Sequence, residues 1–317
     1  GRLISEAAGK EKKNYTYDLS GNRTRISVSG SENYNTYYNY DAYNRLTRET
    51  TNEKGKAERD DTNYYYDYNG NLIMECQNKI GNSDKINFSK NQFGISSEFE
   101  DLNNNFTEYK YNEFNELVYI DYHLDINAKD IYYRPDGLIL RTNYAWFNEH
   151  YFNWQGGNIS AITDDKGSDE LSNRVYTRGL GLIKSSDGDY YLLNGHGDIS
   201  ALANGSGTVT TRYTYDAFGN QSYTGASSNN PFGYCGEYYD PYMGGIYLRA
   251  RIYNPGMGRF TTEDPARDGL NWYAYCGNNP VMFIDPTGFY KYYIFYNADV
   301  DEYNESLGDR AKEQQKN

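Results

Sequence analysis

Aliphatic side chains are scarce in this 317-residue chain. The hydrophobic fraction is 38%, but 38 residues of the chain are tyrosine. Setting tyrosine aside leaves about a quarter of the chain apolar, well under the share usual for a globular domain. Mean hydropathy is −0.93. A chain so poor in Leu, Ile and Val cannot fill a thick dry core, which excludes an ordinary compact globule. Cysteine is equally sparse. Cys76, Cys235 and Cys276 are too few and too far apart for a disulfide framework or a cysteine-based zinc site. They read as three unpaired thiols, with Cys235–Cys276 as the one disulfide candidate. His123, His150 and His196 lack metal-ligand spacing, and His196 reads as a turn residue. No metal or cofactor is expected. Basic charge is outweighed: 31 Lys and Arg face 44 Asp and Glu, a net charge of −13. That balance disfavours nucleic acid as a partner of this segment and favours a solvated acidic surface. No apolar run approaches the ~18 residues of a membrane span. There is no signal peptide at the start. The chain opens at Gly1 in mid-pattern and reads as a fragment. Nothing resembles a phosphate loop or a nucleophile elbow.

What the chain has is aromatic repeats. Aromatic content is 17%, and tyrosine is a strong strand former with an apolar body and a polar tip. It suits a sheet whose faces are both partly wet. A unit Tyr-x-Tyr-Asp-x-x-Gly/Asn recurs at Tyr15–Gly21, Tyr38–Asn44, Tyr64–Gly70 and Tyr213–Gly219. Degenerate copies lie at 88–94, 109–112, 131–137, 152–158 and 191–197. The period is a little over ~20 residues. Tyr-x-Tyr puts both rings on one face of a strand. Asp-x-x-Gly is a turn, with Asp capping the backbone and Gly or Asn supplying positive φ. Each unit is therefore a β-hairpin, stable only when stacked on its neighbours. Polar stretches at 52–61 and 164–172 read as loops between units. The sequence predicts an all-β fold: tandem hairpins over 1–211, a distinct closing segment over 212–289, and a short α/β tail over 290–317.

In the closing segment, Asp264-Pro265 and Asp285-Pro286 bracket the last third. Proline fixes φ and gives up its N–H, so each step pins a carboxylate on a rigid turn. If the chain folds back, the two carboxylates meet, share a proton and titrate as a pair. Such a pair can activate water on one side and protonate a leaving amine on the other, as in aspartic proteases. Asp-Pro is also a common turn opener, so a purely structural pair of turns is the competing reading. Arg249, Arg251 and Arg259 read as ladder and ion-pair residues.

The repeats resemble the YD repeats of Rhs proteins, of teneurins and of the C components of bacterial Tc toxins. The resemblance strengthens from Tyr190 onward. Gly236-Glu237-Tyr238-Tyr239-Asp240, Gly245 to Pro255 and Gly258-Arg259-Phe260 match the Rhs core segment. The resemblance implies a sheet spiralling into a hollow shell around a C-terminal effector. It also implies an aspartyl autoprotease, with Asp264 and Asp285 catalytic and Pro280-Val281 and Asp285-Pro286-Thr287-Gly288-Phe289 as the cleavage element. The scissile bond would be Phe289–Tyr290. The first motif departs: Asp264-Pro265-Ala266-Arg267-Asp268-Gly269 lacks glycine two places after proline. Either the glycine has moved to Gly269 or Asp268 substitutes for Asp264, with Arg267 a carboxylate partner or a surface ion pair. The implied partners are the chain's own effector as cargo, an immunity protein and a delivery apparatus, and the implied location is secreted or cell-surface. The rival reading is an adhesion module that binds cell-surface glycans through its tyrosine rows.

Overall fold

The computed structural model describes residues 1–53, 59–79, 89–91, 94–96, 105–122, 128–144, 148–165, 171–226 and 230–294. The predicted helix of the tail and His123 lie outside the described residues. The architecture is all-β. Nineteen strands, from Ser5–Ala8 to Gln221–Gly225, form one antiparallel sheet, each paired to the next along the chain. One step is skipped: Leu72–Lys79 pairs directly with Asn105–Tyr111, and the small hairpin Ser89–Asn91/Gly94–Ser96 stands outside the sheet. The repeat sheet runs through Gly225, past residue 211, because Val209–Tyr215 pairs in register with Gln221–Gly225.

Each repeat solves its turn in the same way. Asp18 Oδ1 accepts the amide of Asn22 at 2.7 Å, and Asp18 Oδ2 accepts the Asn22 side chain at 2.9 Å. Asp67 holds Asn71 at 2.8 and 2.9 Å, and Asp216 holds Asn220 at 2.9 and 2.8 Å. The turn residue just before the held one has positive φ: Gly21 at 88°, Gly70 at 79°, Gly219 at 92°, and Asn44 at 64° in the second repeat. Asparagine tolerates that region because its short side chain can bond locally.

The two rings of Tyr-x-Tyr do different work. The first is buried, as at Tyr15, Tyr38, Tyr64, Tyr191 and Tyr213. The second sits at a β-bulge in most repeats, between Thr16 and Tyr17, Asn39 and Tyr40, or Tyr132 and Tyr133. A bulge re-aims the side chain. The hydroxyl reaches back and donates to a carbonyl of the preceding hairpin: Tyr40 to Arg23 O, Tyr133 to Leu117 O and, with no bulge before it, Tyr215 to Ile199 O, each at 2.9 Å. Degenerate repeats keep the bond with other donors. Trp154 Nε1 donates to Ile139 O at 2.7 Å, and Arg178 Nε donates to Ile159 O at 3.1 Å.

One aliphatic residue after most of the turns completes the layer. Leu46, Leu72, Leu117, Ile139, Ile159, Leu182 and Ile199 are all buried. Each contributes about 1.5–3 kcal/mol by leaving water. This economy explains how a chain poor in aliphatics holds a core.

The segment 230–289 covers one face of the sheet. It carries a four-stranded sheet of Tyr239–Asp240, Gly245–Leu248, Arg251–Asn254 and Arg259–Phe260. Phe232, Tyr238, Met243, Tyr247 and Ile252 pack among the buried repeat residues. Polar bonds then fasten this segment to the repeat turns. Tyr273 donates to Gly70 O at 2.7 Å, Asn278 to Gly21 O at 2.7 Å, and Arg259 to Asn44 O at 2.7 Å. Lys129 and Asp240 form a fully buried ion pair between the two layers. Burial alone would raise Asp240, but the Lys129 ammonium and the bonds from Met243 and Tyr238 hold it below its ordinary value. Among the described residues no helix is long and apolar enough to cross a membrane.

The predicted loops are shorter than expected. Asn52 pairs with Arg59 and Asp165 pairs with Leu171, so polar residues continue the ladders into 52–61 and 164–172. Backbone pairing does not require apolar side chains. The Cys235–Cys276 disulfide does not form. The Cys235 sulfur is turned instead to His196 Nδ1 at 3.7 Å and Tyr275 OH at 4.0 Å.

Removing the hydroxyl of Tyr40 or Tyr215 by substitution to Phe should cost about 1–2 kcal/mol each, because a carbonyl of the preceding hairpin loses its donor. The same change at the exposed Tyr68 should stay within about 0.5 kcal/mol. Urea unfolding midpoints of the three variants check this.

Candidate functional site

The site begins with a two-residue hairpin. Leu248 pairs with Arg251 across Arg249 and Ala250, and Arg249 takes φ 61° to make the turn. That turn aims the Arg251 side chain at the Asp285–Gly288 turn, whose Gly288 carbonyl accepts from Arg251 Nε. Arg251 Nη1 donates to Trp272 O at 2.9 Å, and the guanidinium lies 3.6 Å from the centre of the Phe260 ring. The remaining nitrogen, Nη2, stands 3.8 Å from an oxygen of Asp264 and 3.8 Å from an oxygen of Asp285. All three side chains are buried. Arg251 is thus a ladder and ion-pair residue, as its sequence suggests; which carboxylates it stands between depends on contacts distant in the chain. Burial pulls the Arg251 guanidinium down to about 10, against the pull of Asp264 and Asp285.

Both Asp-Pro steps are Asx turns. Asp264 Oδ1 accepts the Ala266 amide at 2.9 Å, and Oδ2 accepts the Asp268 amide at 3.3 Å. Asp285 Oδ1 accepts the amides of Thr287 at 3.3 Å and Gly288 at 2.9 Å. Burial pushes the Asp285 carboxyl up, and Arg251 and these amides only partly offset it. The turn is held from outside by Arg249 Nη1, which donates to Pro286 O at 2.7 Å and pairs with Glu237.

The glycine of the first motif has not moved to Gly269. Arg267 occupies the place of Gly288 and takes the left-handed conformation itself, φ 51° against 73°. It can do so because its turn is exposed, at a cost of about 1–2 kcal/mol. Its guanidinium faces Glu263 at 4.0 Å and the Trp272 ring at 5.0 Å, so it is a surface ion pair and holds neither buried carboxylate. Asp268 is exposed, and its backbone amide serves Asp264.

A cavity of about 290 Å³ opens beside the pair, lined by Arg251, Asp264, Asp268, Trp272, Asp285, Phe289 and Tyr290. Phe289 and Tyr290, which line it, are exposed at 39% and 57%. Beyond them, Tyr292–Tyr293 pairs with Phe283–Ile284, returning the chain toward the site. Pro280 is buried and Val281 is exposed. His196 lies in its repeat turn, as expected, but its ring is engaged: Nδ1 meets Asp198 at 2.8 Å and Nε2 meets Pro280 O at 2.8 Å.

The two turns should differ in their tolerance of substitution. A Cβ at Gly288 would stand 2.7 Å from Leu248 O and 2.9 Å from Arg251 N, at φ 73°. Gly288→Ala should therefore cost at least about 2 kcal/mol, whereas Arg267→Gly should leave stability within about 1 kcal/mol. Thermal unfolding of the two variants checks the contrast.

A family model described as teneurin YD-shell matches residues 1–293. The tRNA nuclease WapA of Bacillus subtilis (strain 168) is 30% identical over 297 residues, covering 88% of this chain and 11% of that protein. The toxin protein Tse5 of Pseudomonas aeruginosa is 42% identical over 60 residues, 18% of this chain and 5% of that one. The chain thus spans about a tenth or less of the length of these relatives. Among solved structures, the Photorhabdus luminescens Tc holotoxin pore covers 92% of this chain and 17% of its own, with 17% identity and a TM-score of 0.49. With its hairpins, its turns and its closing segment all inside the matched range, the chain belongs to the teneurin YD-shell family.

Proposed function

We propose that this chain is the closing part of an Rhs-type toxin shell that holds an effector and cuts it free by aspartyl self-cleavage after Phe289. In this reading 1–211, with the strands that continue its sheet to Gly225, is shell wall, the rest of the segment to 289 is the self-cleaving core, and 290–317 begins the effector, which is the cargo. An immunity protein and a delivery apparatus are its further partners, and the chain itself is secreted or on the cell surface. The observation that carries the reading is one arginine nitrogen 3.8 Å from both Asp264 and Asp285, beside a cavity lined by Phe289 and Tyr290.

The chemistry follows from the environments. Asp264 takes a proton from a water molecule, and the water oxygen bonds to the Phe289 carbonyl carbon. Asp285, which burial pushes toward its protonated form, gives its proton to the Tyr290 nitrogen as the C–N bond breaks. Phe289 ends as a carboxyl group and Tyr290 as an amine. The dyad keeps one proton, now on Asp264, and Arg251 stays beside whichever carboxylate is charged.

Incubation of the purified chain followed by intact-mass measurement tests this. The wild type should yield a product ending at Phe289. Asp264→Asn and Asp285→Asn should each slow cutting by at least roughly 100-fold, while Asp268→Asn should leave the rate within a few-fold. The rate should fall as pH rises through the raised Asp285 value, because the donor then loses its proton. Cutting of Asp285→Asn at the wild-type rate would defeat the reading, and a wild type that stays whole would leave the two turns structural.

A further inference from the structure

Away from the carboxylate pair, the repeat turn Asn194–Asp198 and the loop at Cys235 bring three different donor atoms together. His196 Nδ1, an Asp198 carboxylate oxygen and Cys235 Sγ all lie within 4.8 Å of one another. His196 Nδ1 is 2.8 Å from Asp198 Oδ1 and 3.7 Å from Cys235 Sγ. Tetrahedral zinc with Zn–N near 2.0 Å and Zn–S near 2.3 Å sets nitrogen and sulfur about 3.5 Å apart. The observed separation is already close to that edge.

The surroundings orient all three donors. His196 Nε2 faces Pro280 O at 2.8 Å and Nδ1 faces an Asp198 oxygen at 2.8 Å, so both ring nitrogens donate without a metal; an ion takes the place of the Nδ1 proton while Nε2 keeps its bond to Pro280. A histidine that binds metal commonly gives its other ring N–H to a backbone carbonyl in this way. Asp198 Oδ2 accepts from the Asn194 side chain at 2.8 Å, which fixes the carboxylate plane. Cys235 holds φ 54°, an uncommon conformation for a non-glycine residue, and its amide donates to Asp198 Oδ1 at 2.8 Å. His196 and Cys235 are half-buried and Asp198 is buried, so the cluster is sheltered yet reachable.

The geometry points to a zinc site formed by His196, Asp198 and Cys235, with a fourth position left for water. A nitrogen, an oxygen and a sulfur donor suit this borderline-soft cation, whereas calcium and magnesium prefer all-oxygen shells. Binding displaces the Cys235 thiol proton and any proton on His196 Nδ1. The ion joins a repeat turn to the closing segment and, through the His196 ring, to Pro280. The site therefore acts as a clamp between wall and core, and it does not depend on the self-cleavage reading.

The test is titration of the reduced, chelator-stripped chain with Co²⁺, following the thiolate-to-cobalt absorption in the near ultraviolet. The wild type should saturate at one equivalent, and Zn²⁺ should bleach the band. Cys235→Ser should abolish the band, and His196→Gln should weaken binding by at least about tenfold. Cys276→Ser, which changes a neighbouring thiol outside the cluster, should behave as wild type. No saturable band in the wild type, or a band that survives Cys235→Ser, would overturn the proposal. The wild-type titration decides even if a variant fails to fold.

Discussion

The hydrogen bond from the second aromatic of one repeat to a carbonyl of the hairpin before it is the constraint on which this fold depends. A sheet ladder alone fixes neighbouring strands but leaves the row of turns free to splay. The bulge before the turn rotates the Tyr40 or Tyr133 ring back along the sheet, and its hydroxyl ties that turn region to the hairpin before it. An unsatisfied buried carbonyl is costly, and in two degenerate repeats the donor is replaced, by Trp154 and Arg178. The same tie positions the Asp-capped turns, and those turns are what the closing segment binds.

That binding assembles the chemistry. Arg259 reaches Asn44, Tyr273 reaches Gly70 and Asn278 reaches Gly21. Residues 259–278, anchored in this way, join Asp264 to Asp285, and the hairpin at Arg249 presents Arg251 to both. The repeat sheet therefore does more than pair its own strands. It supplies the fixed points from which two carboxylates and one guanidinium are held in a buried cluster, where low dielectric strengthens their mutual interaction.

How much of this could be read from the sequence depended on whether the determining contacts are local. Tyr-x-Tyr alternation and the Asp-x-x-Gly turn are local, and both were legible at Tyr15–Gly21 and Tyr64–Gly70. The bulge that gives the second ring its task was not, because it depends on pairing with the return strand. Trp154 and Arg178 share a role with tyrosine that no residue-type pattern reveals. The three Asp-Pro steps look alike in sequence, yet Asp240-Pro241 faces the buried Lys129 while the other two face Arg251. Arg251 was legible as an ion-pair residue, but its carboxylate partners were hidden because they come from two later turns. The first motif looked damaged without its glycine, but an exposed arginine in the left-handed region restores the turn. His196 passed as a turn residue because Cys235 and Pro280 reach it only through the fold.

The most direct measurement follows oxygen. Cell-free synthesis of the chain in ¹⁸O-water, with mass analysis of any amino-terminal product, locates both the cut and the attacking oxygen. The account predicts a product ending at Phe289 with one ¹⁸O atom in its new carboxyl group. A product ending at Asp285, from simple breakage of the Asp285–Pro286 bond, or a chain that remains whole, would contradict it.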